Sequence, residues 1–207
     1  MEKNVSGQDN AVEDLDYLKE ALQGNIHVTL AVNCPRRVEK GEENYRMLLG
    51  KIFDLGVKQY YKSKGYATDM VYVFPITDKV RLVGTVDLMI ETHDGIRVIE
   101  VKLTDFSEYT ITKGLLQLYA YSRMIEKITG RNVIPELWCF SLNKFAVHKP
   151  QYNEKTFIRI IERAVYIWSY ANKNSSLPPI PSRLDCMYCR EKFICPLYGR
   201  KIEDLEL

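Results

Sequence analysis

The stretch VRLVGTVDLMIETHDGIRVIEVKL, residues 80–103, decides the fold. Val80 to Ile90 and Ile96 to Leu103 are rich in branched apolar residues and are broken by Thr92-His93-Asp94-Gly95, so they are expected to form two strands of a hairpin. Asp94-Gly95 suits the centre of a two-residue turn, where both positions need positive φ. That turn sets Met89 opposite Glu100 and Asp87 opposite Lys102. Side chains alternate along a strand, so Glu100 and Lys102 share a face. Asp87 joins them at cross-strand distances of roughly 4.5–8 Å. Val86, Leu88, Ile90, Ile99, Val101 and Leu103 take the other face and are expected in the core. Two acids and a lysine on one sheet face are what metal-assisted phosphodiester cleavage requires: carboxylates for a hard cation, and an ammonium for a water or a developing charge. A cross-strand ion pair on a wet face would use the same three residues, and would be worth under about 1 kcal/mol.

The chain has 207 residues, enough for one domain with a sizeable core, and a formal net charge of only +2. Bulk charge therefore argues neither for nor against a nucleic acid. Local positive clusters exist at Arg36, Arg37 and Lys40, at Lys58, Lys62 and Lys64, and at Arg190, Lys192, Arg200 and Lys201. Each could equally be a solvated face. No apolar run approaches the length of a membrane span, and Met1 to Asp14 is polar and acidic. The expectation is a cytoplasmic protein, in whose reducing surroundings spaced cysteines read as metal ligands before disulfides.

Outward from the hairpin, residues 1–10 are expected to be a disordered tail, and residues 11–207 a single domain. Ala11 to Gln23 suits a short helix. Thr29 to Arg37 leads into a long helical stretch, about Glu42 to Lys64, stopped by Gly65. Asp69 to Ile76 suits a strand, and Thr112 to Thr129 an amphipathic helix ending at Gly130. Val133 to Leu142 and Phe145 to Tyr152 suit a second hairpin, and Asn153 to Ala171 a helix. Leu177-Pro178-Pro179-Ile180-Pro181 is a stiff connector into a cysteine-rich segment, residues 182–207. Helices flanking a mixed central sheet imply an α/β domain.

Cys186-Met-Tyr-Cys189 is followed by Cys195-Pro196. These three thiols need one more ligand to complete a four-coordinate iron or zinc centre. Cys34, in Asn33-Cys34-Pro35-Arg36, lies at a loop-to-helix junction. Cys139 lies in an apolar strand, where a free cysteine behaves as a small hydrophobe. The quartet Cys34, Cys186, Cys189 and Cys195 would pin the two ends of the chain together. The ligand chemistry alone leaves iron–sulfur and zinc both open.

Taken together, Cys34-Pro35-Arg36, Gly84-Thr85-Val86-Asp87, Glu100-Val101-Lys102, Gln117-x3-Tyr121 and the terminal Cys186, Cys189 and Cys195-Pro196 resemble RecB-type nucleases with a PD-(D/E)XK (restriction-endonuclease-like) core. More closely, they resemble the CRISPR-associated Cas four exonucleases and their viral relatives. The pieces fall in that family's order across nearly the whole chain. The resemblance implies Mg²⁺ or Mn²⁺ on Asp87, Glu100 and the Val101 carbonyl, with Lys102 as the catalytic lysine. Gln117 and Tyr121, at i and i+4 on one helical face, match the family's glutamine–tyrosine motif. It also implies a [4Fe–4S] cluster on Cys34, Cys186, Cys189 and Cys195, with zinc the less favoured occupant. One departure stands out. Where the family carries Gly-x3-His, this chain has Gly50-Lys51-Ile52-Phe53-Asp54, so Asp54 is the candidate ligand in the histidine's place. The same Asp54 could instead pair with Lys51 or Lys58 along the helix. His27, His93 and His148 lack the expected helical context.

The activity implied is hydrolysis of single-stranded DNA, as a 5′-to-3′ exonuclease with endonuclease cutting compatible. The setting would be CRISPR adaptation beside an integrase complex, or viral DNA replication and recombination in a host cytoplasm. A homo-oligomer is compatible with either. Aromatics that can stack bases include Tyr45, Tyr60, Tyr61, Tyr109 and Tyr188. A catalytically decayed, cluster-stapled single-strand-binding protein and a zinc-stapled interaction protein are the rivals from other classes.

Overall fold

In chain order the elements are helix α1 (Tyr17–Leu22), strand β1 (Asn25–His27), helices α2 (Val28–Val32), α3 (Pro35–Glu39) and α4 (Tyr45–Lys62), and strands β2 (Ala67–Pro75), β3 (Arg81–Thr92) and β4 (Gly95–Leu103). Helix α5 (Glu108–Thr129), strands β5 (Val133–Phe140) and β6 (Phe145–His148), and helices α6 (Glu154–Asn174) and α7 (Arg183–Met187) complete the order. The computed structural model describes residues 16–39, 45–151, 153–187, 189, 192–195 and 197. The expected tail, the start of the first helix, Lys40, Tyr188, Arg190, Arg200 and Lys201 lie outside the described residues.

Local chemistry sets the helix ends. Ser107 caps α5 by accepting from the Thr110 N–H, and Gly130 ends it in a left-handed conformation, φ 67°. Asn153 caps α6 by accepting from the Thr156 N–H. The long helical stretch expected before Gly65 is α4.

The sheet is mixed and flanked by helices. β3 is its spine: it pairs antiparallel with β2 over nearly its whole length and antiparallel with β4 from Leu88 to Thr92. β1, too short for any periodicity to reveal in the sequence, pairs parallel with Arg81–Val83 of β3. β2 already pairs with the same three residues and with Leu88 and Met89, so β1 and β4 lie one after the other on the opposite edge of β3. Gly84 to Asp87 span the gap between them. β5 continues the sheet parallel to β4, and β6 closes it antiparallel.

The turn differs from expectation by one residue. Thr92 pairs with Gly95, so His93-Asp94 form the turn and Gly95 already belongs to β4. Its glycine has another cause. At φ +146°, a Cβ there would lie 2.4 Å from the Asn132 carbonyl oxygen, where β5 is fed in alongside. The register consequently moves by two residues. In that register Asp87 is level with Glu100 rather than Lys102. A shift of two preserves every face, which is why the convergence of the three residues survives.

Two cores result. The larger lies between the sheet and α2, α5 and α6, and includes Leu82, Val86, Val98, Leu116, Met124, Phe157 and Ile160. The smaller gathers Leu88, Ile99, Val101 and Trp138 against Phe53, Val57 and Tyr61 of α4. The expected single core face is therefore divided: Leu88, Ile99 and Val101 pack under α4, Val86 packs in the larger core, and Leu103 is 39% exposed. β3 changes the face it presents to each core between Val86 and Leu88, at Asp87. On β2 the matching level is Asp69, which has φ 54° and interrupts the pairing between Thr68 and Met70.

Gly84 explains itself by contact: a Cβ there would come within 2.7 Å of the Tyr121 ring. Two separate sequence motifs thus meet, ring against bare backbone. Gly84→Ala is expected to destabilise the protein by about 1–3 kcal/mol through overpacking, read as a lower urea midpoint with an unchanged m-value. An unchanged midpoint would mean that Tyr121 is not seated as described.

Candidate active site

At the gap between β1 and β4 the strands part, and a side chain takes over a backbone role. In continued register Val101 would face Val86, but its N–H donates instead to Asp87 Oδ2 at 2.9 Å. Beside it Glu100 is 3% exposed, and Lys102 Nζ donates to its Oε1 at 2.5 Å. Helix α4 crosses this end of the sheet and contributes Asp54 and Lys58. Lys58 Nζ lies 2.7 Å from Asp54 Oδ2, 2.7 Å from Asp69 Oδ1 and 3.1 Å from Asp87 Oδ1. Asp54 therefore pairs with Lys58 along its helix, and it also lines a cleft beside Asp87. A cleft of about 260 Å³ is lined by Asp54, Asp87, Val101 and Lys102, with Gly50 and Phe53 on its α4 wall. A roomier cleft beside Leu22, Thr77 and Trp168 holds a single acid, Asp78.

Four carboxylates here, on Asp54, Asp69, Asp87 and Glu100, face two ammonium groups, on Lys58 and Lys102. The imbalance shows in the titration of the groups. Burial, then the Asp87 carboxylate, push the Glu100 carboxyl well above the usual carboxylate range, against the pull of Lys102. Burial and Asp87 also raise the Asp54 carboxyl. The surrounding acids hold both lysines above the ordinary lysine value despite burial. Two buried oxygens, Asp54 Oδ1 and Glu100 Oε2, have no hydrogen-bond partner among the described residues. Unpaired buried carboxylate oxygens beside an excess of negative charge fit a hard divalent cation with oxygen ligands. Among the described residues, no three Asp, Glu, His or Cys side chains are already drawn together around a common point for an ion. Asp54 and Asp87 close on Lys58 instead.

Gln117 and Tyr121 lie behind this cluster rather than in the cleft. They are 8% and 6% exposed. Gln117 Nε2 donates to Thr29 Oγ1 at 3.1 Å, and the Tyr121 hydroxyl also bonds the Thr29 side chain. Burial, then Glu100 and Asp87, raise the Tyr121 phenol well above its ordinary value, which places it against the acids. Thr29 on α2, which joins the two, was invisible in the sequence, as was Asp69. The pair Asp54 and Lys58 was visible only through its i, i+4 spacing.

Four of the cysteines, Cys34, Cys186, Cys189 and Cys195, lie in one another's neighbourhood without forming a closed ligand group among the described residues. All five are free thiols. Burial raises the Cys186 thiol, and Cys34, Cys195 and Cys189 are near enough to raise it further. Cys139 sits fully buried in β5 and belongs to the larger core, as expected of a small hydrophobe. A buried polar network underlies the quartet. Asp185, fully buried, accepts from Lys113 Nζ at 2.9 Å and from Ser182 Oγ at 2.7 Å, and lies 3.6 Å from Arg37 Nη1. Lys113 also donates to the Val32 carbonyl at 2.8 Å, and Arg163 to the Asn33 carbonyl at 2.6 Å. This network ties α2, α3, α5, α6 and α7 together where Cys34 and Cys186 approach. Asp185 stands directly before Cys186, the one signal by which the sequence could have revealed it.

The family model described as the PD-(D/E)XK nuclease superfamily matches residues 9–196. No curated protein matches. Among solved structures, SSO0001 superposes with a TM-score of 0.61 at 21% identity, over 88% of this chain and 95% of that one. An alkaline exonuclease from Laribacter hongkongensis, LHK-Exo, gives a TM-score of 0.48 at 10% identity over 78% of this chain and 94% of its own. Its complex with dAMP gives 0.47 at 11%, over 77% and 92%. The likeness to SSO0001 is one of fold. Among the described residues, no helix is long and apolar enough to cross a membrane.

The raised Glu100 carboxyl predicts how metal-free stability varies with pH. Its folded pKa lies above its unfolded one, so the fold is penalised as pH rises through the ordinary carboxylate range, and carries no such penalty below it. In EDTA, Glu100→Gln is therefore expected to stabilise the protein by on the order of 2 kcal/mol at pH 8 and by much less at pH 4.5. Denaturant unfolding at the two pH values checks this; destabilisation at pH 8 would show that Glu100 is not strained.

Proposed function

The chain belongs to the PD-(D/E)XK nuclease superfamily, and on that premise we propose that it is a divalent-metal-dependent deoxyribonuclease acting on single-stranded DNA, as an exonuclease from 5′ ends with endonuclease cutting compatible. The observation that carries the proposal is the pair of buried oxygens near Asp87, Asp54 Oδ1 and Glu100 Oε2, that lack a hydrogen-bond partner among the described residues. Asp87, Glu100, the Val101 carbonyl and Asp54 would hold Mg²⁺ or Mn²⁺. An all-oxygen set favours Mg²⁺ more than one containing imidazole. When bound, the ion would supply Lewis-acid polarisation of a phosphate oxygen and a water acidic enough to attack near neutral pH.

The chain's own groups do the rest. Lys102, whose pKa is held above the ordinary lysine value, stays protonated. Its ammonium would donate to the attacking water or to the developing negative charge. Asp87 is fixed in orientation by the Val101 N–H. Gln117 and Tyr121, buried and joined through Thr29, act as positioning residues behind Glu100 and Asp87. For the substrate, α4 presents Tyr45 and Tyr60, 73% and 57% exposed, on which unpaired bases can stack. The cysteine quartet Cys34, Cys186, Cys189 and Cys195 is proposed as a structural centre, [4Fe–4S] in preference to zinc, a reading that rests on the resemblance of its spacing. A role in CRISPR adaptation or in viral replication and recombination is the setting this activity would suit.

Cleavage of end-labelled linear and circular single-stranded DNA in Mg²⁺ or Mn²⁺ tests the activity. Asp87→Ala and Lys102→Ala, each checked for folding, are expected to lose at least about a hundredfold in rate. Equal rates in wild type and Asp87→Ala would refute the site. Iron and acid-labile sulfide in anaerobically purified protein, both lost in Cys186→Ser, are expected of the cluster; bound zinc without sulfide would replace it with the alternative metal.

A further inference from the structure

The acid cluster already contains a cation. Lys58 Nζ sits 2.7 Å from Asp54, 2.7 Å from Asp69 and 3.1 Å from Asp87, with its side chain 13% exposed. Three carboxylates around one buried-stem ammonium reproduce, at N···O distances, the oxygen surroundings of a hard metal ion. Two of the three, Asp54 and Asp87, are the residues that would ligate the divalent ion. The third differs in kind. Asp69 comes from β2, its side chain is 57% exposed, and it occupies a left-handed backbone position, φ 54°, where the β2–β3 pairing is interrupted. A backbone departure at that level aims a carboxylate at the lysine from outside the cleft: Asp69 is absent from the cleft lining, which Asp54 and Asp87 share.

We propose that Lys58 is an internal counter-ion that competes with the divalent cation for Asp54 and Asp87, and that Asp69 is the seat to which its ammonium withdraws when the cation binds. The inference rests on the reading of Asp54 and Asp87 as cation ligands. Physically, the ammonium screens the mutual repulsion of the acids in the metal-free fold, so the ligands stay assembled. The same charge opposes metal entry, because a second cation a few ångströms away is repelled. Asp69 reduces that opposition without touching the metal, since it keeps Lys58 paired after Asp54 and Asp87 are taken. Lys58 is thus a positioning residue that sets the metal concentration at which the site fills.

Mn²⁺ binding to the full chain, by titration calorimetry and by the loss of the free-ion electron paramagnetic resonance signal, tests this without reference to activity. Lys58→Met is expected to tighten Mn²⁺ by about tenfold, through removal of the competing charge. Lys58→Gln gives the same direction should the apolar variant not fold. Asp69→Asn, whose side chain tolerates a left-handed backbone, is expected to weaken Mn²⁺ by about threefold to tenfold. In the Lys58→Met background, Asp69→Asn should have no further effect. Three results would overturn the proposal: unchanged or weaker binding on removal of Lys58, no effect of Asp69→Asn alone, or an equal loss from Asp69→Asn with and without Lys58. The last would make Asp69 an ordinary ligand. Asp87→Asn is the control for the premise. If it binds Mn²⁺ as wild type does, the metal-site reading fails rather than the role of Lys58.

Discussion

The structure depends on one edge of one strand being shared. β3 cannot pair with β1 and β4 along its whole length, because both lie on the same side of it. Between them, backbone groups that would enter a ladder must be satisfied otherwise. Asp87 does this at Val101 with a carboxylate oxygen in place of a carbonyl. At Gly84 the missing side chain leaves room for the Tyr121 ring. The fork that interrupts the sheet is therefore also what brings a charged side chain into its interior, next to the buried Glu100.

Charge follows from that placement. A buried glutamate and an aspartate on the crossing helix, each with an oxygen lacking a partner among the described residues, lie close to Asp87; burial first, then the Asp87 charge, raises both carboxyls against the pull of the two lysines. Such a cluster is costly to the metal-free fold and favourable once a divalent cation is present. Gln117, Tyr121 and Thr29 are packed behind it on the side of the larger core. The polar network around Asp185 performs a similar service for the cysteines, since it locks α2, α3, α5, α6 and α7 to one another before any metal is considered.

Much of this was legible in the sequence because the relevant signals are periodic. The alternation in Val80–Leu103 placed Asp87, Glu100 and Lys102 together even though the turn was set one residue late, since a two-residue slip keeps each side chain on its face. Asp54 drew attention only through the family resemblance, as the residue standing where a histidine was expected, and the larger helices were placed from their caps and glycine stops. What the sequence could not show depends on contacts between distant segments. β1 is three residues long. Gly95 is explained by Asn132, the residue just before β5. The change of core face at Asp87, which moved Val86 to the larger core, arises from β1, β2 and β4 competing for β3. Asp69 and Thr29 carry no local pattern at all, and each acquires meaning only from Lys58 or from Gln117 and Tyr121.

The central claim is that a divalent cation occupies the fork between Asp54, Asp87 and Glu100. Anomalous scattering at the manganese edge from crystals grown in Mn²⁺ tests it most directly. The account predicts a single strong peak within coordination distance of Asp87, Asp54 Oδ1 and Glu100 Oε2, with Lys58 Nζ moved toward Asp69. A structure in high Mn²⁺ that shows no peak at the fork, with Lys58 still bridging Asp54 and Asp87, would contradict it.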